Sequence, residues 1–417
     1  MQIVIFEDEK VHRFHPLVHF KPVYGLFTGC RNLLQKFCFY LGADVTFSCH
    51  LRRYLQPYYR SHLPVFQPGV DPQRDILLVN GRLLCDEKAA TIIRDHPPAP
   101  GQSLMQGDEL VLARVNEARI VSADNMLPDY FDTQQLAAES ETVVAEGFRL
   151  LRNIWDPVAF HPGELHREAF SLELGSISGR VSSRAGLENP ESIFIGEGAV
   201  IKAGALLDAE EGFVYVSPGA VVEPQAVLAG NVFAGEFSCV RTGANLHSNV
   251  FIGRASKAGG EIEDAVVEPY ANKQHEGFLG HSYISSWCNL GAGTNTSDLR
   301  NNYGKVKLQI ENKELRTGEQ FLGLLMGEHA KCSINSMFNT GTVAGASSNI
   351  FGGGFPPKYI PSFSWGGPGS GFQPYEIEKA VATARAVMGR RNVRMCDAYE
   401  TMFRYVAAVE QDSGAAV

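Results

Sequence analysis

No uninterrupted apolar run of about 18 residues, the length a membrane-crossing helix needs, occurs in the chain, so an integral membrane protein is not expected. Cys-x-x-Cys pairs are missing too: the cysteines stand apart at 30, 38, 49, 85, 239, 288, 332 and 396. That scatter offers neither a zinc ribbon nor a thioredoxin motif and fits a reducing compartment. Positive charge is in short supply, with 37 Lys and Arg against 46 Asp and Glu, a net charge of -9 and a pI near 5.8. Without a basic stripe there is no electrostatic footprint for a nucleic-acid backbone, and no nucleic-acid partner is expected. The opening MQIVIFEDEKVHRFHP turns acidic too soon for a signal peptide, and a cytoplasmic location is expected, with no membrane partner.

What is present is an ordinary globular composition, 44% hydrophobic and 20% charged, over 417 residues. That length calls for two or three domains. The most informative feature is a period of six. Ile195, Ile201 and Leu207 are six apart, as are Val216, Val222 and Leu228, and the small residues Ala199, Ala205, Ala220 and Ala226 follow four places behind. The pattern lapses around 230 to 277. It returns as Phe278, Ile284 and Leu290 with Ser282, Cys288 and Thr294, then as Met326, Cys332, Phe338, Ala344 and Ile350 with Ala330, Ser336, Thr342 and Ser348.

Neither a helix at 3.6 nor a strand at 2 gives this period. A three-sided coil does: each face carries one inward aliphatic and each corner one small residue, with coils stacked at strand spacing, ~4.8 Å. A parallel β-helix is therefore expected over 190–355. Upstream, IVIFED, ILLVNGRLL and ELVLAR read as buried strands and CRNLLQKFCFY as a helix, an α/β unit over 1–125. Leu136, Val143, Val144, Phe148, Leu151, Ile154 and Trp155 recur at near-helical spacing behind a cap at Asp132 or Thr133, so 126–189 is expected to be a helical connector. Over 356–417 a Gly- and Pro-rich extended segment precedes amphipathic helices marked by Ile377, Val381, Ala384, Val387, Tyr399, Met402, Phe403 and Val406.

The hexads resemble those of the left-handed β-helix acyltransferases, which implies left-handed coils and a homotrimer. RTGANL at 241, HEGFLG at 275, NLGAGTNT at 289 and the pair Asn302 and Tyr303 resemble, in order, segments of the acetyltransferase half of the bifunctional glucosamine-1-phosphate N-acetyltransferase/uridyltransferase. GFLGHSYISSWCNLGAGTNTSDLRNNYG with MFNTGT and FGGGFPPKYIPSFSWGG resembles one bacterial sugar nucleotidyltransferase subgroup over nearly the whole chain. The resemblance implies acetyl-CoA as co-substrate and an amino-sugar phosphate such as glucosamine 1-phosphate as acceptor, in the synthesis of UDP-N-acetylglucosamine or a related sugar nucleotide.

An amine attacking a thioester must lose a proton, and imidazole is matched to take it near neutrality. The resemblance makes His275 the general base. It gives Asn289 to the sugar or acetyl group, Arg241 to the phosphate, Asn302 and Tyr303 to sugar hydroxyls, and Lys305 to the phosphate or coenzyme. Backbone N–H groups near Gly291 and Ala292 are candidate oxyanion donors. The family Lys is replaced by Glu263, so either Lys257 or Lys273 supplies the charge or the acceptor is a different amine, and Phe278 stands where the family has Tyr. His275 and His281 fall on successive faces and cannot share one ion, so no zinc site is expected.

The front domain resembles a shortened nucleotidyltransferase over VHFKPVYGLFTGCRNLL and LLVNGRLL. Nothing before Lys21 forms a Gly-rich phosphate loop, and Arg82 occupies the position of the Asp that holds Mg²⁺, which removes the charge stabilisation of phosphoryl transfer. Asp75, Asp86 or Glu87 are the substitute ligands to consider, and Mg²⁺ is required only if this domain is active. A nucleotidyltransferase (UDP-N-acetylglucosamine diphosphorylase) and a non-catalytic trimer that binds sugar nucleotides are the alternative functions.

Overall fold

The computed structural model describes residues 1–69, 71–122 and 124–414. It forms two compact units. One comprises Met1–Leu26, Arg31–Ile154 and Asp397–Met402, and the other Phe27–Cys30, Trp155–Cys396 and the residues from Phe403 onward. Among the described residues no helix is long and apolar enough to cross a membrane.

The first unit is α/β, as expected. Its six-stranded sheet runs in the order Phe47–Cys49, Gln2–Phe6, Asp75–Asn80, Glu109–Asn116, Gln102–Gln106, Glu141–Val144. The first three strands are parallel, and Glu109–Asn116 is antiparallel to both of its neighbours. Val4, Phe6, Ile76, Leu78 and Leu110 pack in one buried cluster, which is why these strands read as continuous apolar runs. The expected N-terminal helix is Leu33–Leu41. It starts at Asn32, whose side chain accepts from the Gln35 N–H while the Gln35 side chain accepts from the Asn32 N–H, a reciprocal cap.

The helical connector needs correction. Helix Thr133–Ala138 starts at the Asp132 cap but stops after six residues, and Glu141–Val144 joins the sheet edge beside Gln102–Gln106. Val143 and Val144 are β-branched and their pairing with a strand outweighs the helical spacing of their neighbours.

The second unit is a parallel β-helix. One face stacks two-residue strands in the order Val200, Val221, Cys239, Lys257, Asn272, Asn289, Lys331, Asn349, each the Cα partner of the next. The coil extends past the expected limits at both ends, from Arg180–Val181 to Ser364–Gly367. Ile195, Leu207, Val216, Val222 and Leu228 are completely buried, as the hexads require.

The lapse of period between 230 and 277 also needs correction. Leu228, Ala234, Val240, Leu246, Ile252 and Ala258 continue inward every six residues, all fully buried. Two of them are Ala, which hides the pattern. The register then shortens: Val227 to Asn245 spans 18 residues, Asn245 to Glu261 spans 16 and Glu261 to Phe278 spans 17. Leu279 consequently turns inward, while Phe278 sits half-buried on the outer side. One inward position is filled by Lys273, 1% exposed.

Between Asn295–Thr296 and Leu324–Met326 the chain leaves the coil and forms a hairpin, Lys307–Ile310 with Lys313–Arg316. It returns in register, with Ile284 opposite Met326 and Asn289 opposite Lys331. Beyond the coil are helices Ile377–Gly389 and Asp397–Gly414. Ala380, Val381, Ala384 and Met388 form the buried stripe of the former.

Candidate functional site

A cavity of about 370 Å³ opens where helix Ile377–Gly389 lies over the Lys257-to-Asn349 face. Lys257, Asn272, Gln274, Asn289 and Lys331 form its floor, and Arg390 and Arg391, just beyond the helix end, form its rim. Among the described residues no carboxylate lines it. Burial pulls the Lys331 ammonium down to about 8, and its Nζ donates to the His329 carbonyl at 2.7 Å. Arg391 is lowered by burial and then by its neighbour Arg390, and it donates to Asn272 Oδ1 at 2.5 Å. Tyr270 closes one side, stacked on Trp287 with ring centres 4.3 Å apart. A second cavity, about 450 Å³, is lined by Asp208, Glu210, Glu211 and His247 and has the opposite electrostatic character.

The sequence-predicted residues divide into groups. Lys257 and Asn289 meet in the cationic cavity together with Gln274, whose chain neighbour is the exposed His275. His275 sits on the corner between strands Asn272–Lys273 and Phe278–Gly280. Arg241 stands on the same corner column, where it meets Glu223 Oε1 at 3.0 Å. Asn302, Tyr303 and Lys305 are exposed on the excursion. Asn302 there accepts from the Gly304 N–H.

Two expectations are corrected by the local geometry. Lys273 is turned into the coil, where its ammonium donates to the carbonyls of Gly259, His275 and Gly277, so its charge is spent on the backbone and Lys331 occupies the cavity in its stead. The Gly291 N–H donates to the Cys332 carbonyl at 3.1 Å and is therefore not an oxyanion donor. Gly291 is small for a different reason: a Cβ there would stand 2.4 Å from the Ser333 carbonyl of the next coil. The Ala292 carbonyl accepts from the Asn335 N–H at 2.7 Å in the same stacking.

In the first unit Arg82 is fully buried, donating to Asp8 at 2.6 Å and pairing with Glu109. Asp75 is held by Arg114 at 2.8 Å, and Asp86 caps helix Glu87–Asp95 through the Ala89 N–H and meets Arg149 at 3.4 Å. Among the described residues, the groups of three or more potential metal ligands include none of Asp75, Asp86 and Glu87. These carboxylates do not fit a Mg²⁺ site.

Residues 3–177 match the sugar nucleotidyl transferase family. Two archaeal relatives match over shorter stretches. A bifunctional sugar-1-phosphate nucleotidylyltransferase/acetyltransferase from Sulfurisphaera tokodaii is 30% identical over 93 residues, 22% of this chain and 23% of that one. The bifunctional protein GlmU of Methanocaldococcus jannaschii is 28% identical over 113 residues, 27% of this chain and 26% of that one. The chain thus spans about a quarter of the length of these relatives. Among solved structures, UDP-N-acetylglucosamine acyltransferase from Campylobacter jejuni is 14% identical, with 54% of this chain and 95% of that chain covered at a TM-score of 0.25. The match over residues 3–177 bears out the resemblance to sugar nucleotidyltransferases, and the chain carries an α/β front unit followed by a parallel β-helix.

A further cluster stands on the coil at Glu263, His281 and Asp298. His281, one corner beyond His275, donates from Nδ1 to Asp298 Oδ2 at 2.8 Å and has Asp264 3.7 Å from Nε2. Burial disfavours its charged form, but the hydrogen bond to Asp298 and the charges of Asp264, Asp298 and Glu263 outweigh it and raise its pKa. Glu263, His281 and Asp298 present ligand atoms within 4.8 Å of one another, a donor set able to hold a divalent cation. Glu263 also lies 3.5 Å from His247. The position where the family has Lys therefore belongs to a separate acidic corner. The signal for that corner was the spacing of Glu263, His281 and Asp298 by one coil, readable only once the shortened register is known.

Proposed function

We propose that the β-helix unit is an N-acetyltransferase that moves the acetyl group of acetyl-CoA to the amine of an amino-sugar phosphate, of which glucosamine 1-phosphate is the leading candidate. The observation that carries this reading is the cavity in which Asn289 and Lys257 stand among further cations, one residue along the chain from His275. His275 takes the proton as the amine nitrogen adds to the thioester carbonyl, and that proton leaves with the coenzyme thiol as the carbon–sulfur bond breaks. Asn289 orients the sugar or the acetyl oxygen. The exposure of His275 suits a reaction completed at a seam between copies, and a homotrimer is part of the proposal.

A second reading, nucleotidyl transfer by the front unit, is favoured by the match over residues 3–177. It is opposed by the burial of Arg82 between Asp8 and Glu109, since that arrangement presents neither a triphosphate cradle nor a free carboxylate. The third reading, a non-catalytic sugar-nucleotide-binding trimer, leaves the exposed imidazole beside the cavity without a role.

The deciding experiment mixes purified protein with acetyl-CoA and glucosamine 1-phosphate and follows free thiol. Wild type is expected to turn over and His275→Ala to lose roughly 10²- to 10⁴-fold. Equal inertness of both across a panel of amino sugars rejects the proposal. Pyrophosphate release from UTP and N-acetylglucosamine 1-phosphate establishes the second reading.

A further inference from the structure

We infer that the acceptor's phosphate is seated by Lys331 on the coil floor together with Arg390 and Arg391 at the end of helix Ile377–Gly389. This rests on the acetyltransferase reading for the identity of the acceptor, while the phosphate seat itself stands on the cavity alone. Lys331, Arg390 and Arg391 belong to none of the segments that resemble the bifunctional enzyme.

The argument is electrostatic and geometric. Four cations, Lys257, Lys331, Arg390 and Arg391, line one cavity with no acid among them. Like charges that close repel, and the arrangement is stable only if solvent or an anion offsets them. The helix end contributes a partial charge of about -0.5, far short of four positive charges. Burial lowers Lys331, and both burial and Arg390 lower Arg391, so each gains from an incoming dianion. Arg391 is held at one end by Asn272, which fixes where its guanidinium points. Guanidinium forks match phosphate oxygens in pairs, whereas a lone ammonium acts as a point charge, so a fork above and an ammonium below suit one phosphate group.

Size narrows the ligand. Ligand pockets run from about 300 to 1,000 Å³, and a cavity of about 370 Å³ lies at the small end. It suits a sugar phosphate and not a whole coenzyme. The seat also accounts for Glu263: with the charge supplied from the helix end, an acid at that position need not oppose the phosphate, because it faces the corner of His247 and His281.

The test is calorimetric binding to the full-length protein, with glucosamine 1-phosphate, inorganic phosphate and uncharged glucosamine as probes. Arg390→Gln and Arg391→Gln are each expected to weaken both phosphate probes at least tenfold and to leave glucosamine unchanged. Arg390 is exposed, so its variant keeps the fold even if Arg391→Gln loosens the helix end. Arg404→Gln, outside the cavity, is the control for general charge loss. Phosphate affinity of the wild type is further expected to fall as pH rises through about 8, where Lys331 gives up its proton, and this step is lost in Lys331→Gln. Wild-type affinity in both arginine variants, or loss equal to that of Arg404→Gln, overturns the inference. His275→Ala separates the two proposals: normal phosphate binding supports the seat whatever its turnover, while full turnover removes only the catalytic role.

Discussion

The ammonium of Lys273 lies 2.6 Å from the carbonyl of His275 and 3.0 Å from those of Gly259 and Gly277. A cation thus occupies an inward position of the coil and ties down the corner that carries the proposed base. Lys273→Met removes the donor and leaves the Gly259 and His275 carbonyls short of a partner, while the Gly277 carbonyl keeps the Glu261 N–H, at an expected cost of about 1–3 kcal/mol. Urea denaturation measures it, and an unchanged midpoint means that relief from desolvation balances the lost bonds.

Gly291 gives a prediction with a built-in control. A Cβ there meets the Ser333 carbonyl at 2.4 Å and the Ile334 nitrogen at 2.5 Å, both backbone atoms that cannot rotate away. Gly291→Ala should cost about 1–3 kcal/mol through overpacking. Gly389→Ala, with nothing within 4 Å of the added atom, should be neutral or stabilise by a few tenths of a kcal/mol. Similar melting temperatures for the two variants contradict the stacking argument.

Restoring the family's acid should not restore its chemistry. Arg82 is fully buried between Asp8 and Glu109, so Arg82→Asp brings three carboxylates together and leaves Lys10, 3.1 Å from Glu109, as their nearest cation. Breaking such a buried pair costs about 3–5 kcal/mol. The variant is expected to unfold at lower denaturant and to release no pyrophosphate with Mg²⁺ and UTP. Gain of that activity at wild-type stability counts against the structural role of Arg82.

His281 should make stability depend on pH. Its folded pKa is raised above the unfolded value near 6.5, so its contribution is complete below that value and is lost as pH rises through the raised one. Glu263, Asp264 and Asp298 all face this corner, and Glu263 also lies 3.5 Å from His247. Asp298→Asn is expected to flatten the fall in melting temperature above pH 6.5. A variant profile parallel to wild type removes Asp298 from the account.

The sequence pattern was most readable where inward residues are large. Ile195 to Leu228 and Met326 to Ile350 are found in the core as the hexads require. It failed between 230 and 277 because Ala234 and Ala258 fill aliphatic positions, Lys273 fills another, and coils of 16 and 17 residues shift the phase. In the candidate site Lys257 and Asn289 were readable from the resemblance. Lys331 was not, because the excursion separates it in the chain from Asn289, its partner on the face. Arg390 and Arg391 were not, because they enter from a helix whose packing leaves no periodic mark on the coil. Val143 and Val144 misled in the opposite sense, helical by spacing yet paired at a sheet edge.

The excursion between Thr296 and Leu324 shows that the stack tolerates a detour without losing phase, since Asn289 still faces Lys331 and Thr296 still faces Phe338 on its far side. Its tip, at Glu311 and Asn312, lies outside every inward column. That makes it a natural splice point, where a fluorescent or affinity module could be grafted while the scaffold above and below keeps its alignment.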